Sequence, residues 1–76
     1  MLEREDMKFD YTKLWKLLES RNMYREDLRI ETGMSSATLA KLGKNEAVSM
    51  DVLGRICKTL NCDIGDIVSC LQEDSY

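Results

Sequence analysis

The stretch TGMSSATLAKLGKNEAVSM, residues 32–50, decides how this chain folds. Gly33 suits the left-handed end of a helix, because it lacks the Cβ that makes positive φ costly. Ser35 is a preferred N-cap residue. Leu39 and Leu42 then recur at helical spacing, which predicts a helix from Ser36 to Gly43 or Lys44. Asn45, Glu46 and Ala47 read as a loop, and Ser49 as the cap of the next helix. The stretch is therefore a tight turn, a short capped helix, a loop and a second cap.

The same punctuation extends in both directions. An apolar residue, a candidate cap and a second apolar residue five places after the first occur four times. Met23 and Leu28 bracket Tyr24, and Met34 and Leu39 bracket Ser35. Val48 and Leu53 bracket Ser49, and Cys62 and Ile67 bracket Asp63. This is the spacing of a hydrophobic staple, and three of the four caps are preferred types. It predicts helices over Arg25–Thr32, Ser36–Gly43, Met50–Leu60 and a short stretch carrying Ile64, Ile67, Val68 and Leu71. A first helix, about Tyr11 to Arg21 with Asp10 as its cap, shows an apolar stripe at Tyr11, Leu14, Trp15 and Leu18. Trp15 and Tyr11 fit that stripe as core residues rather than as a stacking platform. The expectation is a compact all-α domain of five helices over residues 10–71, with a charged leader at 1–9 and a polar tail at 72–76. Met7 is an alternative start, since the patterned region begins just after it.

Composition agrees with a small helical domain. The chain has 76 residues, 43% of them hydrophobic and 33% charged, and no proline. A chain this short buries only about 60% of its unfolded surface, so dimerisation is a natural source of further stability. No apolar run is long enough to span a membrane, and the charged N-terminus has no apolar signal core; a cytoplasmic protein is expected. Cys57, Cys62 and Cys70 lack the short spacings of a zinc module, and there is no histidine. Neither a metal nor a cofactor is expected, and the cysteines read as small buried hydrophobes. With no histidine, no Gly-rich phosphate loop and no base at a motif spacing, an enzyme is the poorest fit.

The second and third helices, joined through Gly33, leave room only for a helix-turn-helix or a helical hairpin. Over residues 10–68 the chain resembles the Cro/C1-type helix-turn-helix domain of phage repressors and bacterial regulators. The resemblance rests on KLWKLL (13–18), TGMSSATLAKLGKNE (32–46) and LNCDIGDIV (60–68). It implies a fold like that of the lambda repressor DNA-binding domain, with the third helix as the recognition helix. Two positions depart from the family's pattern: Arg29 stands where a small alanine is usual, and Thr32 replaces an aliphatic residue.

Placed on a wheel, Leu39 and Leu42 lie about 60° apart and define the inward side of the third helix. Ser36, Ala37, Ala40, Lys41 and Lys44 fall within an arc of about 140° opposite. That face is small, hydroxylated and basic, which suits close approach to the major groove. Ser35 caps the helix and leaves amides that favour a phosphate or a base edge. Ser36 and Ala37 are weakly discriminating readers, and Lys41 reaches guanine O6 or N7. Thr38 sits at the flank, where it meets backbone or base. Lys44 and Asn45 are placed for phosphates, which supply affinity rather than sequence choice. The resemblance also implies that the start of the second helix, Tyr24 and Arg25, abuts the DNA backbone.

The formal charge of −3 does not oppose this reading, because the net negative charge is concentrated at the ends. Residues 1–10 carry four acids against two bases, and residues 61–76 carry four acids and no base, whereas Gly33–Val48 has two lysines against one glutamate. A local patch governs docking, while net charge governs solubility and long-range attraction. The expected partners are operator DNA and a second copy of the chain. The alternative is a protein-interaction module, an antitoxin or an antagonist of a larger regulator, built on the same fold.

Overall fold

The computed structural model describes residues 7–72. Strand β1 (Met7–Asp10) leads into helices α1 (Thr12–Ser20), α2 (Arg25–Thr32), α3 (Ser36–Gly43) and α4 (Met50–Leu60). A single 3-10 turn (Ile64–Asp66) and strand β2 (Ser69–Gln72) complete the chain. The four staples mark the starts correctly: Tyr24, Ser35, Ser49 and Asp63 are the N-cap residues of α2, α3, α4 and the 3-10 turn. Ser35 and Ser49 accept from the amides of Thr38 and Val52, each at 3.1 Å. Tyr24 and Asp63 cap differently. There the residue three places on reaches back, so that Asp27 accepts from the Tyr24 amide at 2.8 Å and Asp66 from the Asp63 amide at 2.9 Å. At the entry to α1 the cap position is Tyr11, and Asp10 works from one residue earlier, accepting from the Thr12 amide at 3.2 Å.

The expected fifth helix does not form over residues 64–71; the described residues make four helices and a two-stranded sheet. The stripe Ile64, Ile67, Val68 and Leu71 is satisfied only in part, with Ile67 fully buried and Leu71 half exposed. After one 3-10 turn the chain extends and pairs antiparallel with β1, Met7 opposite Gln72 and Phe9 opposite Cys70. A helix this short is marginal without a strong partner, and a strand at the other end of the sequence supplies backbone pairing instead. The stretch read as a leader thus ends in a strand; its first six residues, and residues 73–76 of the tail, lie outside the described residues.

Helix ends are set by left-handed residues. Gly33 closes α2 at φ +77°, and Asn22, Asn45 and Asn61 adopt φ between +54° and +59° after α1, α3 and α4. Asparagine tolerates this region better than other residues with a Cβ. The core is drawn from every helix: Leu14 and Leu18 of α1, Leu28 of α2, Leu42 of α3, and Leu53, Ile56 and Leu60 of α4. Tyr11, Met34 and Ile67 fill the junctions. Each such side chain contributes about 1.5–3 kcal/mol on burial.

The two departures from the family pattern are both accommodated. Thr32 is buried, and its hydroxyl donates to the Leu28 carbonyl at 2.8 Å and receives the Met34 amide at 3.4 Å. A polar side chain at an inward position is thereby satisfied and ties α2 to the turn. Arg29 pairs with Glu26 of the preceding turn through both its Nε and Nη2, which holds the Glu26 carboxyl below its ordinary pKa. It therefore adds no free charge to the surface.

Candidate nucleic-acid interface

Helix α3 presents one small, charged-but-uncommitted face because Leu42 anchors it from below. Leu42 is fully buried and Leu39 packs partly against the same core. Ser36, Ala37, Ala40, Lys41 and Lys44 are exposed, and Thr38 is half-buried at the flank. Among the described residues, neither Lys41 nor Lys44 has an ion-pair partner. The Ser35 hydroxyl, besides capping, donates to Thr38 Oγ1 at 3.1 Å, so the two hydroxyls at the helix start restrain each other. Within the described residues the amides of Ser36 and Ala37 have no partner, as expected for the first turn of a helix.

Asn45 has a second task beside the one read from its position. It sits at φ +59°, and its Oδ1 accepts from the Tyr11 amide at 3.1 Å. The buried Tyr11 hydroxyl donates to the Glu46 carbonyl at 2.8 Å. Two bonds to one residue at the start of α1 thus fasten the loop that follows α3. The Asn45 side-chain amide nitrogen keeps its donors.

At the start of α2, Tyr24 is 80% exposed. The guanidinium of Arg25 lies over the indole of Trp15, 3.7 Å from the ring centroid. It also reaches the last residue of α3, where a Cβ built on Gly43 would lie 3.5 Å from Arg25 Nη1. The nine residues proposed from sequence therefore form two groups, Ser35–Asn45 on and after α3 and Tyr24–Arg25 beside its far end. Trp15 belongs to this site as well as to the stripe of α1. No periodicity could have shown that, since it touches Arg25 only across the α1–α2 turn. A groove of about 510 Å3 runs beside this contact, lined in part by Thr12, Trp15, Lys16, Tyr24 and Arg25.

None of the described residues forms a group of three or more His, Cys, Asp or Glu placed to hold a metal, and the cysteines are free thiols. No helix among the described residues is long and apolar enough to cross a membrane.

Comparison with known proteins agrees with this geometry. No curated protein matches the chain. The crystal structure of the transcriptional regulator VanUg, form II, is similar to it with a TM-score of 0.89 and 52% sequence identity, covering 96% of this chain and 97% of that one. A family model for the Cro/C1-type HTH DNA-binding domain matches residues 13–73. With the staple-capped α2 and α3, the buried Leu28 and Leu42 and this match over most of its length, the chain belongs to the Cro/C1-type HTH DNA-binding domain family.

Proposed function

We propose that this protein is a sequence-specific transcriptional regulator that lays α3 in the major groove of an operator and binds as a dimer. The observation that carries the reading is the exposed face of α3, where two lysines without an ion-pair partner among the described residues stand among serine and alanine, with no acid between them. Small side chains let the helix backbone approach base edges, and the lysines meet the negative potential of the groove. Lys41 reads guanine, while Ser36 and Ala37 contact bases with little discrimination. Lys44 and Asn45 contact phosphates at the end of the helix, Ser35 and Thr38 meet backbone or base, and Tyr24 and Arg25 meet the backbone beyond it. The similar VanUg, itself a transcriptional regulator, supports the same reading.

Such a face makes few specific contacts, so a monomer binds weakly at physiological salt. Two half-sites about 34 Å apart supply affinity through effective concentration. Where contacts are few, the shape and deformability of the operator contribute to selectivity.

The test is a gel shift on DNA upstream of the protein's own operon, with Lys41→Ala beside the wild type. A shift that is lost for the variant, with the helical circular dichroism intact, supports the assignment. Equal binding by the variant removes Lys41 as a reader. A second reading, a protein-interaction module, draws on the exposed apolar residues Ile30, Met50 and Leu71. Light scattering that finds a stable monomer, with no affinity for any duplex at low salt, favours that reading.

A further inference from the structure

Four arginines lie within the described residues, and three are committed to protein partners. Arg21 donates to the Leu60 carbonyl, Arg29 pairs with Glu26 and Arg55 with Asp51. Arg25 differs: its guanidinium touches the Trp15 ring and, among the described residues, forms no hydrogen bond or ion pair. Within the described residues its five N–H donors are unused, although the group is held in place. It is held beside Gly43, at the end of α3 that also carries Lys41 and Lys44.

We propose that Trp15 is a positioning residue, whose indole presents the Arg25 fork to a single phosphodiester of bound DNA. A flat guanidinium stacked on an aromatic face keeps its edge donors free, and that edge matches two phosphate oxygens. A long side chain loses rotamer freedom when it grips a ligand, and stacking in the free protein removes part of that loss beforehand. Lys16, on the same groove, adds positive charge, and Glu19 is the one acid among its described lining residues. The indole is half-buried, its inner side packed on the core, so the platform itself is rigid. This inference rests on the DNA-binding reading above.

Trp15 is the only tryptophan in the chain, so its emission reports on the Arg25 contact directly. The experiment titrates a generic fluorescein-labelled duplex at several salt concentrations, reading anisotropy and Trp15 emission together. Arg25→Ala should change the emission of the free protein and flatten the plot of log K against log salt by about one unit of slope. Arg25→Lys should keep the slope but bind about two- to fivefold more weakly, because a point charge replaces the stacked fork. Trp15→Phe should bind within about twofold of the wild type, and Trp15→Leu about two- to fivefold more weakly, again with the slope retained. Lys58→Ala, a charge control on α4, should leave the Trp15 emission unchanged.

Wild-type affinity in a folded Trp15→Leu overturns the positioning role and leaves the DNA-binding reading standing. Should Trp15→Leu fail to fold, Arg25→Lys decides: wild-type affinity there overturns the role equally. Absence of binding by the wild type to any duplex at low salt overturns both.

Discussion

Replacing Asn45 by alanine removes two stabilising features at once, and glycine removes only one. The Asn45 side chain accepts from the Tyr11 amide at 3.1 Å, across 34 residues of sequence. Losing that bond costs about 0.5–1.5 kcal/mol. Its backbone also sits at φ +59°, where alanine is strained by about 1 kcal/mol or more and glycine is not. The sum is about 2 kcal/mol for Asn45→Ala and about 1 kcal/mol for Asn45→Gly. A domain of this size has a total stability of about 4–11 kcal/mol. Each kcal/mol moves the melting temperature of such a domain by about 4–8 °C. Thermal denaturation followed by circular dichroism should therefore place Asn45→Ala about 10 °C below the wild type and Asn45→Gly about midway. The reasoning is refuted if alanine is neutral, or if glycine melts lower than alanine. Asn45→Asp keeps the acceptor oxygen while placing a negative charge beside the proposed phosphate track. It should remain folded and yet bind duplex DNA more weakly at low salt.

The serine caps give a prediction of similar kind. Ser35→Ala and Ser49→Ala each lose one bond to a first-turn amide, which costs about 1 kcal/mol and lowers the melting temperature by about 4–8 °C; Ser→Gly at either site should cost less. Alkaline pH supplies another. Burial holds the Tyr11 phenol above its ordinary value of 10.0 and the Cys57 thiol above 9.0. The folded protein keeps protons that the unfolded chain releases. The associated stability is complete below these ordinary values and declines as pH rises through them toward the folded values. Urea midpoints measured from about pH 8 to pH 11 should fall, and Tyr11→Phe should fall less steeply above about pH 10. Parallel curves for the two proteins would show that Tyr11 is not a source of the slope.

Much of this fold is legible in the chain because its signals are local. A cap, a staple and a left-handed residue act within five or six residues, so Tyr24, Ser35, Ser49 and Asp63 mark element starts wherever the rest of the chain lies. The two faces of α3 follow from the same cause: helical period alone separates Leu39 and Leu42 from Ser36, Ala37, Lys41 and Lys44. The fifth helix failed for the opposite reason. The segment after Asp66 has helical spacing, but the competing partner is β1, some sixty residues earlier, and backbone pairing at that distance leaves no periodic trace in either strand.

The site divides along the same line. By itself, the sequence determined which residues form the outer face of α3 and that the net negative charge lies toward the chain's ends, since both depend only on residue order and helical pitch. Only the tertiary structure decided that Asn45 fastens its loop to Tyr11, that Arg29 is neutralised by Glu26, and that Arg25 rests on Trp15 with its donors unused among the described residues. The choice of partner for a long or branched polar side chain depends on which groups the fold brings within a few ångströms, and among the four arginines that choice separates the one able to hold a ligand from the three already held.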